Sequence, residues 1–137
     1  MNTNTTDVYA LIALDTLRNG GGTYERDAFR SASLPNRYIV ALGSPREIVD
    51  ASEGASAFPH IVHALRTIAD ARGVWTPERA LGTWVHDGKV YVDVVESIAS
   101  LGTALWIAGT RGELAIWDNV DHVDIDVQYV PVGNPWR

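Results

Sequence analysis

Four groups of residues in this chain have types and spacings that could do chemistry. Asp118, Asp121, Asp124 and Asp126 crowd its last fifth. Clustered carboxylates invite a calcium reading, but the loop D-x-[DN]-x-[DN]-G with its closing glutamate is absent. Acids that alternate along a strand more often keep a sheet edge from pairing. They also resemble acidic surfaces that occupy a basic site on a partner. Edge protection ranks first, docking second and a metal third. His60 and His63 stand three residues apart. Two histidines can share a cation, yet zinc needs at least a third protein ligand. His86 or His122 could supply it only through a tertiary contact, and H-E-x-x-H is missing. A solvated helix face is the simpler account, so no metal site is expected. Gly20, Gly21 and Gly22 suggest a phosphate loop, but GxxxxGK[ST] is absent and the glycines follow a helical pattern instead of a strand. They read as a helix cap and turn. No nucleophile–base pair is visible, so no catalytic residue and no cofactor is assigned.

The fourth group is Trp84, His86, Tyr91 and Asp93, whose positions follow from a turn. Asp87-Gly88 suits a type I′ hairpin, in which both central residues take positive φ. A two-residue loop sets the register. His86 then faces Lys89, Trp84 faces Tyr91 and Gly82 faces Asp93. These residues share one face of the hairpin. Leu81, Thr83, Val85, Val90, Val92 and Val94 share the other, which is nearly all aliphatic and should line the core. The first face combines apolar bodies with polar tips. It is either a stabilising Trp84–Tyr91 cross-strand pair or a binding surface.

The elements around this hairpin can be read in order. Thr6 or Asp7 can cap a helix running to about Asn19. Val8, Leu11 and Ile12 form one apolar stripe, and Ala10, Ala13, Leu14 and Leu17 a second. A helix apolar nearly all round is buried on more than one side: either the domain covers it completely or it helps form a homodimer through Val8, Leu11 and Ile12. Asp15 should pair with Arg18. Residues 23–29 have weak strand character, and Tyr38–Leu42 is a better strand; the two could form a hairpin. Ser44-Pro45-Arg46-Glu47 has capping-box spacing and predicts a short helix to about Ser52. Residues 53–57 read as a mobile small-residue loop. His60–Arg72 is an amphipathic helix burying Ile61, Leu65, Ile68 and Ala69, stopped by Gly73. Thr76-Pro77-Glu78 starts a single helical turn. After the hairpin, Ser100 caps a helix through Ala104, Leu105 and Ala108, and Gly112 closes it. Glu113–Asp118 is a strand. A strand–helix–strand unit normally makes a right-handed crossover, so this strand should run parallel to Lys89–Val95, with room for another between them. Residues 119–127 form a last antiparallel strand, half-buried through Val123, Ile125 and Val127, which lets Trp117 and His122 share a face. Residues 1–6 and 130–137 read as irregular.

The 137 residues are 46% hydrophobic and 20% charged, as expected for one soluble domain spanning 1–137. Cysteine is absent, which excludes disulfides and thiolate zinc sites. No apolar run reaches the ~20 residues of a membrane span, and the N-terminus lacks the basic residues of a secretory signal. A cytoplasmic protein is expected. Residues 1–80 carry nine acids against eight arginines, whereas 81–137 carry eight acids against three bases. That acidic half argues against nucleic acid as a partner and favours a basic protein partner or a cation.

Arginine supplies ten of the eleven basic residues, Lys89 being the only lysine, in keeping with GC-rich codon usage. The run G-T-W-V-H-D-G-K-V-Y-V-D-V-V, a helix, and then R-G-E-L-A-I-W-D resembles a group of small uncharacterised proteins of actinobacteriophages and actinobacterial mobile elements. The resemblance covers about residues 80–120. It implies a phage or mobile-element source and an accessory role, and no activity.

Together these readings predict an α+β domain, with a mixed β-sheet and helices packed mainly on one face. Two classes of function are expected. The first is a non-enzymatic accessory protein that binds a host or phage macromolecule. The second is a small-ligand binder or enzyme using the Trp84/His86/Tyr91/Asp93 face. Trp84, His86, Tyr91, Asp93, Trp117, Asp124 and Asp126 are the candidate binding residues.

Overall fold

The computed structural model of the chain describes residues 4–127. Of the segments expected to be irregular, 1–6 and 130–137, residues 1–3 and 130–137 lie outside it. Three helices pack on a six-stranded curled sheet. In chain order the elements are α1 (Asn4–Asn19), β1 (Gly21–Tyr24), β2 (Tyr38–Asp50), a 3₁₀ turn (Gly54–Ala57), α2 (Phe58–Ala69), β3 (Ala80–His86), β4 (Lys89–Ile98), α3 (Leu101–Thr110), β5 (Ala115–Asp118) and β6 (Val123–Asp126). The sheet order is β1-β3-β4-β2-β5-β6. The fold is α+β. Every neighbouring pair is antiparallel. The expected parallel relation of β5 to β4 therefore holds across the intervening β2, and no parallel strands pair among the described residues.

The hairpin β3–β4 has the anticipated register, with Trp84 opposite Tyr91 and His86 opposite Lys89. Asp87 and Gly88 take φ of 52° and 72°, the positive values a type I′ turn requires. Leu81, Val90, Val92 and Val94 are fully buried against Ile12, Ile61, Leu65 and Ile68 of α1 and α2. Thr83 is the polar residue on this apolar face, and its hydroxyl meets that of Thr16 at 2.7 Å. That bond keeps two buried hydroxyls satisfied, without which each carries a desolvation cost. Ala104 and Ala108 of α3 pack on Tyr38, Val40 and Ile116. Tyr38 and Val40 lie opposite Ile98 and Glu96, even-numbered like Val90–Val94. All three helices thus cover one face.

Several local expectations yield to tertiary pairing. The predicted helix from Ser44 is instead the second half of β2, where Ile48 and Val49 pair with Tyr91 and Val90. Its capping-box spacing is local, whereas a long ladder to β4 satisfies more backbone and suits β-branched side chains. A bulge between Ala41 and Arg46 absorbs the irregularity, with Gly43 at φ +88°. Gly21 and Gly22 are strand residues. A Cβ on Gly21 would collide with the Thr83 carbonyl, so β1 approaches β3 only as glycine. The expected hairpin between 23–29 and β2 does not form, because β1 pairs with β3. Residues 4–6 belong to α1, and α2 starts at Phe58 and stops at Ala69.

The double-sided burial of α1 is corrected too. Ile12 is completely buried in its own domain and Val8 packs on the same core, whereas Leu11 is 44% exposed. Val8, Leu11 and Ile12 therefore present no common outer surface for a second copy. Asp15 pairs not with Arg18 but with Asn19 and the Tyr24 hydroxyl. Burial, followed by that bond to Asp15, raises Tyr24 to about 12. Val123, expected inside, is 48% exposed; Val127 is buried.

Candidate functional site

The sheet face away from the helices is built by period-two alternation. β4 sends Lys89, Tyr91, Asp93 and Val95 to it, and the registers place side chains from other strands beside each. Four transverse rows result. Asp50, Lys89 and His86 form the first, and Ile48, Tyr91 and Trp84 the second. Arg46, Asp93 and Gly82 form the third. The fourth is apolar: Ala41, Val95 and Ala80, with Ile39 and Trp117 adjoining. Trp117 pairs with Asp124, and Asp126 lies two residues along the same face. All seven candidate residues therefore share one side of the sheet.

They differ in accessibility. Trp84 and His86 stack with ring centroids 4.5 Å apart, and Trp84 meets Tyr91 at 5.6 Å. The Arg46 guanidinium lies 5.7 Å from the Tyr91 ring. Ile48, at the end of this row, is 52% exposed. Asp124 is close enough to Trp84 and His86 for both to favour its ionised form, although loss of hydration, helped by Asp126, raises it overall. Trp84 and Asp124 stand on strands separated by three others. Their proximity means that the sheet curls around this face and makes it concave. Trp117 and His122 do share an environment, 6.1 Å apart, and Trp117 donates to Asn119.

Asp93 is different. It is 6% exposed and accepts a 2.7 Å bond from Arg46 Nε. The same guanidinium pairs with Glu113, whose side chain is also buried and whose Oε2 has no hydrogen-bond partner among the described residues. Burial raises Asp93 to about 6; Arg46 counteracts this and Glu113 adds to it. One arginine thus holds two buried carboxylates beneath the aromatic row, and Asp93 is a support and not a contact residue.

A pH dependence follows. A carboxyl with a raised folded pKa binds its proton more tightly in the native state, so its contribution to stability fades as pH rises. Asp93 should therefore make the domain lose stability between about pH 4 and about pH 6. Asp93→Asn is expected to flatten that slope in urea melts. An unchanged slope would place the titration elsewhere. Asp118 acts oppositely at lower pH. Two bonds from Arg37, and further backbone donors at Val120 and Asp121, hold it well below the usual carboxylate range. Its stabilisation is complete above about pH 4 and is lost progressively as the pH falls below that.

The acid series is thus dispersed: Asp118 braces a turn, and Asp124 and Asp126 face the concave side. Among the described residues no three histidines or carboxylates are placed to hold a metal ion. His60 and His63 are exposed on α2. An open cleft lined by Arg26, Asp70, Arg72 and Trp75 lies at the far end of α2. Arg26 is already engaged there, stacked 5.0 Å from Trp75 and donating to the Ala69 carbonyl. Sequence reasoning missed Ile48, Arg46 and Glu113, since all depend on β2 continuing past its bulge. The β-branched pair Ile48-Val49 was the available strand signal. No helix among the described residues is long and apolar enough to cross a membrane. Comparison of the chain with protein families, characterised proteins and solved structures finds no match.

Proposed function

We propose that this chain is a small non-enzymatic accessory protein that acts by binding another protein through the concave face of its sheet. The single observation that carries this reading is the Ile48–Tyr91–Trp84 row, with His86 stacked on Trp84, on the face that no helix covers among the described residues. Aromatic side chains held rigidly beside an exposed aliphatic one have the composition of binding hot spots. The acids Asp124 and Asp126 on the same face suit a basic partner. The likeness of residues 80–120 to phage and mobile-element proteins supports a phage-encoded source and action in the host cytoplasm.

Affinity capture from host lysate, with Trp84→Ala/Tyr91→Ala beside the parent protein, tests the reading. A partner retained equally by both rejects it. Asp124→Asn with Asp126→Asn should slow association severalfold and reduce its salt dependence, leaving dissociation nearly unchanged. Stopped-flow mixing with the captured partner measures this.

The neighbouring Trp84, His86 and Asp124 also favour a second reading, a small flat cation stacked on Trp84. Titration with small aromatic cations, followed at the Trp84 indole by NMR, separates it from the first.

A further inference from the structure

The two-residue hairpin determines where each backbone group on β4 and β2 points. His86 and Lys89 flank the turn and exchange hydrogen bonds. Lys89, Tyr91 and Asp93 therefore bond toward β3, and Val90 and Val92 toward β2. Their β2 partners, Val49 and Glu47, use their own N–H and C=O on β4. The bond from Ala51 N–H to the Gly88 carbonyl, 2.8 Å, continues the same alternation. Arg46, Ile48 and Asp50 consequently aim their N–H and C=O groups away from β4. On that side β5 pairs only with Tyr38 and Ile39, since the bulge turns β2 aside. Among the described residues nothing bonds to the backbone of Arg46, Ile48 or Asp50 along this edge.

The charge around the edge is unbalanced. Arg46 is already engaged by Asp93 and Glu113. Lys89 faces Asp50 across the ladder. Glu47 within the strand, Glu53 just after it and Asp87, next to the Gly88 whose carbonyl accepts from Ala51, add further negative charge. The orphaned Oε2 of Glu113 sits at the Arg46 end, against Gly43. Repulsion between acidic edges disfavours self-pairing, and a cationic strand is complementary.

We propose that the edge Arg46–Asp50 receives an extended basic segment of a partner protein by strand addition, its apolar side chains lying beside Ile48 and its cations beside Asp50 and Glu113. Such pairing takes affinity from main-chain bonds and selectivity from alternate side chains. This deepens the protein-binding reading and rests on it, because the added strand extends the Ile48–Tyr91–Trp84 row.

The test uses the full ¹⁵N-labelled chain and a capped seven-residue peptide, Thr-Lys-Thr-Val-Thr-Lys-Thr, whose alternate positions put lysine, valine and lysine on the face shared by Asp50, Ile48 and Arg46. The peptide should slow amide exchange at Ile48 and Asp50 by about tenfold or more, an effect that weakens with salt. Glutamate in place of lysine, or N-methylation of alternate peptide amides, should abolish it. So should Ile48→Pro, which removes an N–H aimed at the open edge and no ladder bond. Failure of the lysine peptide to bind at about 1 mM, a free energy near −4 kcal/mol, overturns the proposal. So does slowed exchange confined to another edge. Protection without peptide that grows with protein concentration overturns it in favour of a second copy. Protection lost on deleting residues 128–137 overturns it in favour of the chain's own tail. If Trp84→Ala/Tyr91→Ala binds the peptide as well as the parent, the edge stands and the aromatic reading falls. If Trp84 and Tyr91 respond while Ile48 and Asp50 exchange freely, the aromatic reading stands and strand addition falls.

Discussion

Arg46→Met should lower the unfolding free energy by about 3–5 kcal/mol at neutral pH, the range found when one partner of a buried charge pair is removed. The loss comes from what remains. Asp93 and Glu113 stay buried, and neither keeps the guanidinium that compensates its charge. The deficit should shrink on acidification toward pH 5, because protonation of Asp93 relieves it. Replacing all three residues by apolar ones of similar volume should recover most of the stability, since the pairs are themselves costly to desolvate. Urea melts of the single and triple variants at two pH values decide the matter. A single variant within about 1 kcal/mol of the parent, the scale of an exposed pair, would mean that water reaches the triad.

Trp84→Ala with Tyr91→Ala should weaken partner binding by at least about a hundredfold, since each ring has the character of a hot spot near 2 kcal/mol. The fold should survive. Both rings are only half-buried, and the helices contact the other side of the hairpin. The lost cross-strand pair and the half-buried area of the two rings amount to about 3–5 kcal/mol. A cooperative melt shifted by that amount, with binding gone, supports a contact role. A collapse of the melt would make both rings core residues, and intact binding would clear the face of any role.

The hairpin was legible because its information is local. An Asp-Gly turn and strict alternation specify register and faces without help from the rest of the chain. The cap at Ser100, confirmed by its bond from the Thr103 N–H, was legible for the same reason. What escaped was decided at a distance. The Ser44–Glu47 capping box competes with a ladder whose other half lies more than forty residues away. α1 looks apolar on two sides, yet its own core takes only one, leaving Leu11 and Leu14 outside. Asp93 was placed on the right face but at the wrong depth. Nothing near it in sequence discloses that Arg46 and Glu113 close over it.

The alternation along β4 separates two kinds of constraint residue by residue. Val90, Val92 and Val94 answer to the core and tolerate little change in volume. Tyr91, between two of them, answers to whatever meets the concave side. If the concave face binds a partner as proposed, its recognition can drift at less cost in stability than a change on the core face. A library varied at positions 48, 84, 86, 91 and 124 samples new surfaces on an unaltered core. Covariation in such a library should run across strands, along the transverse rows, and not between neighbours in sequence.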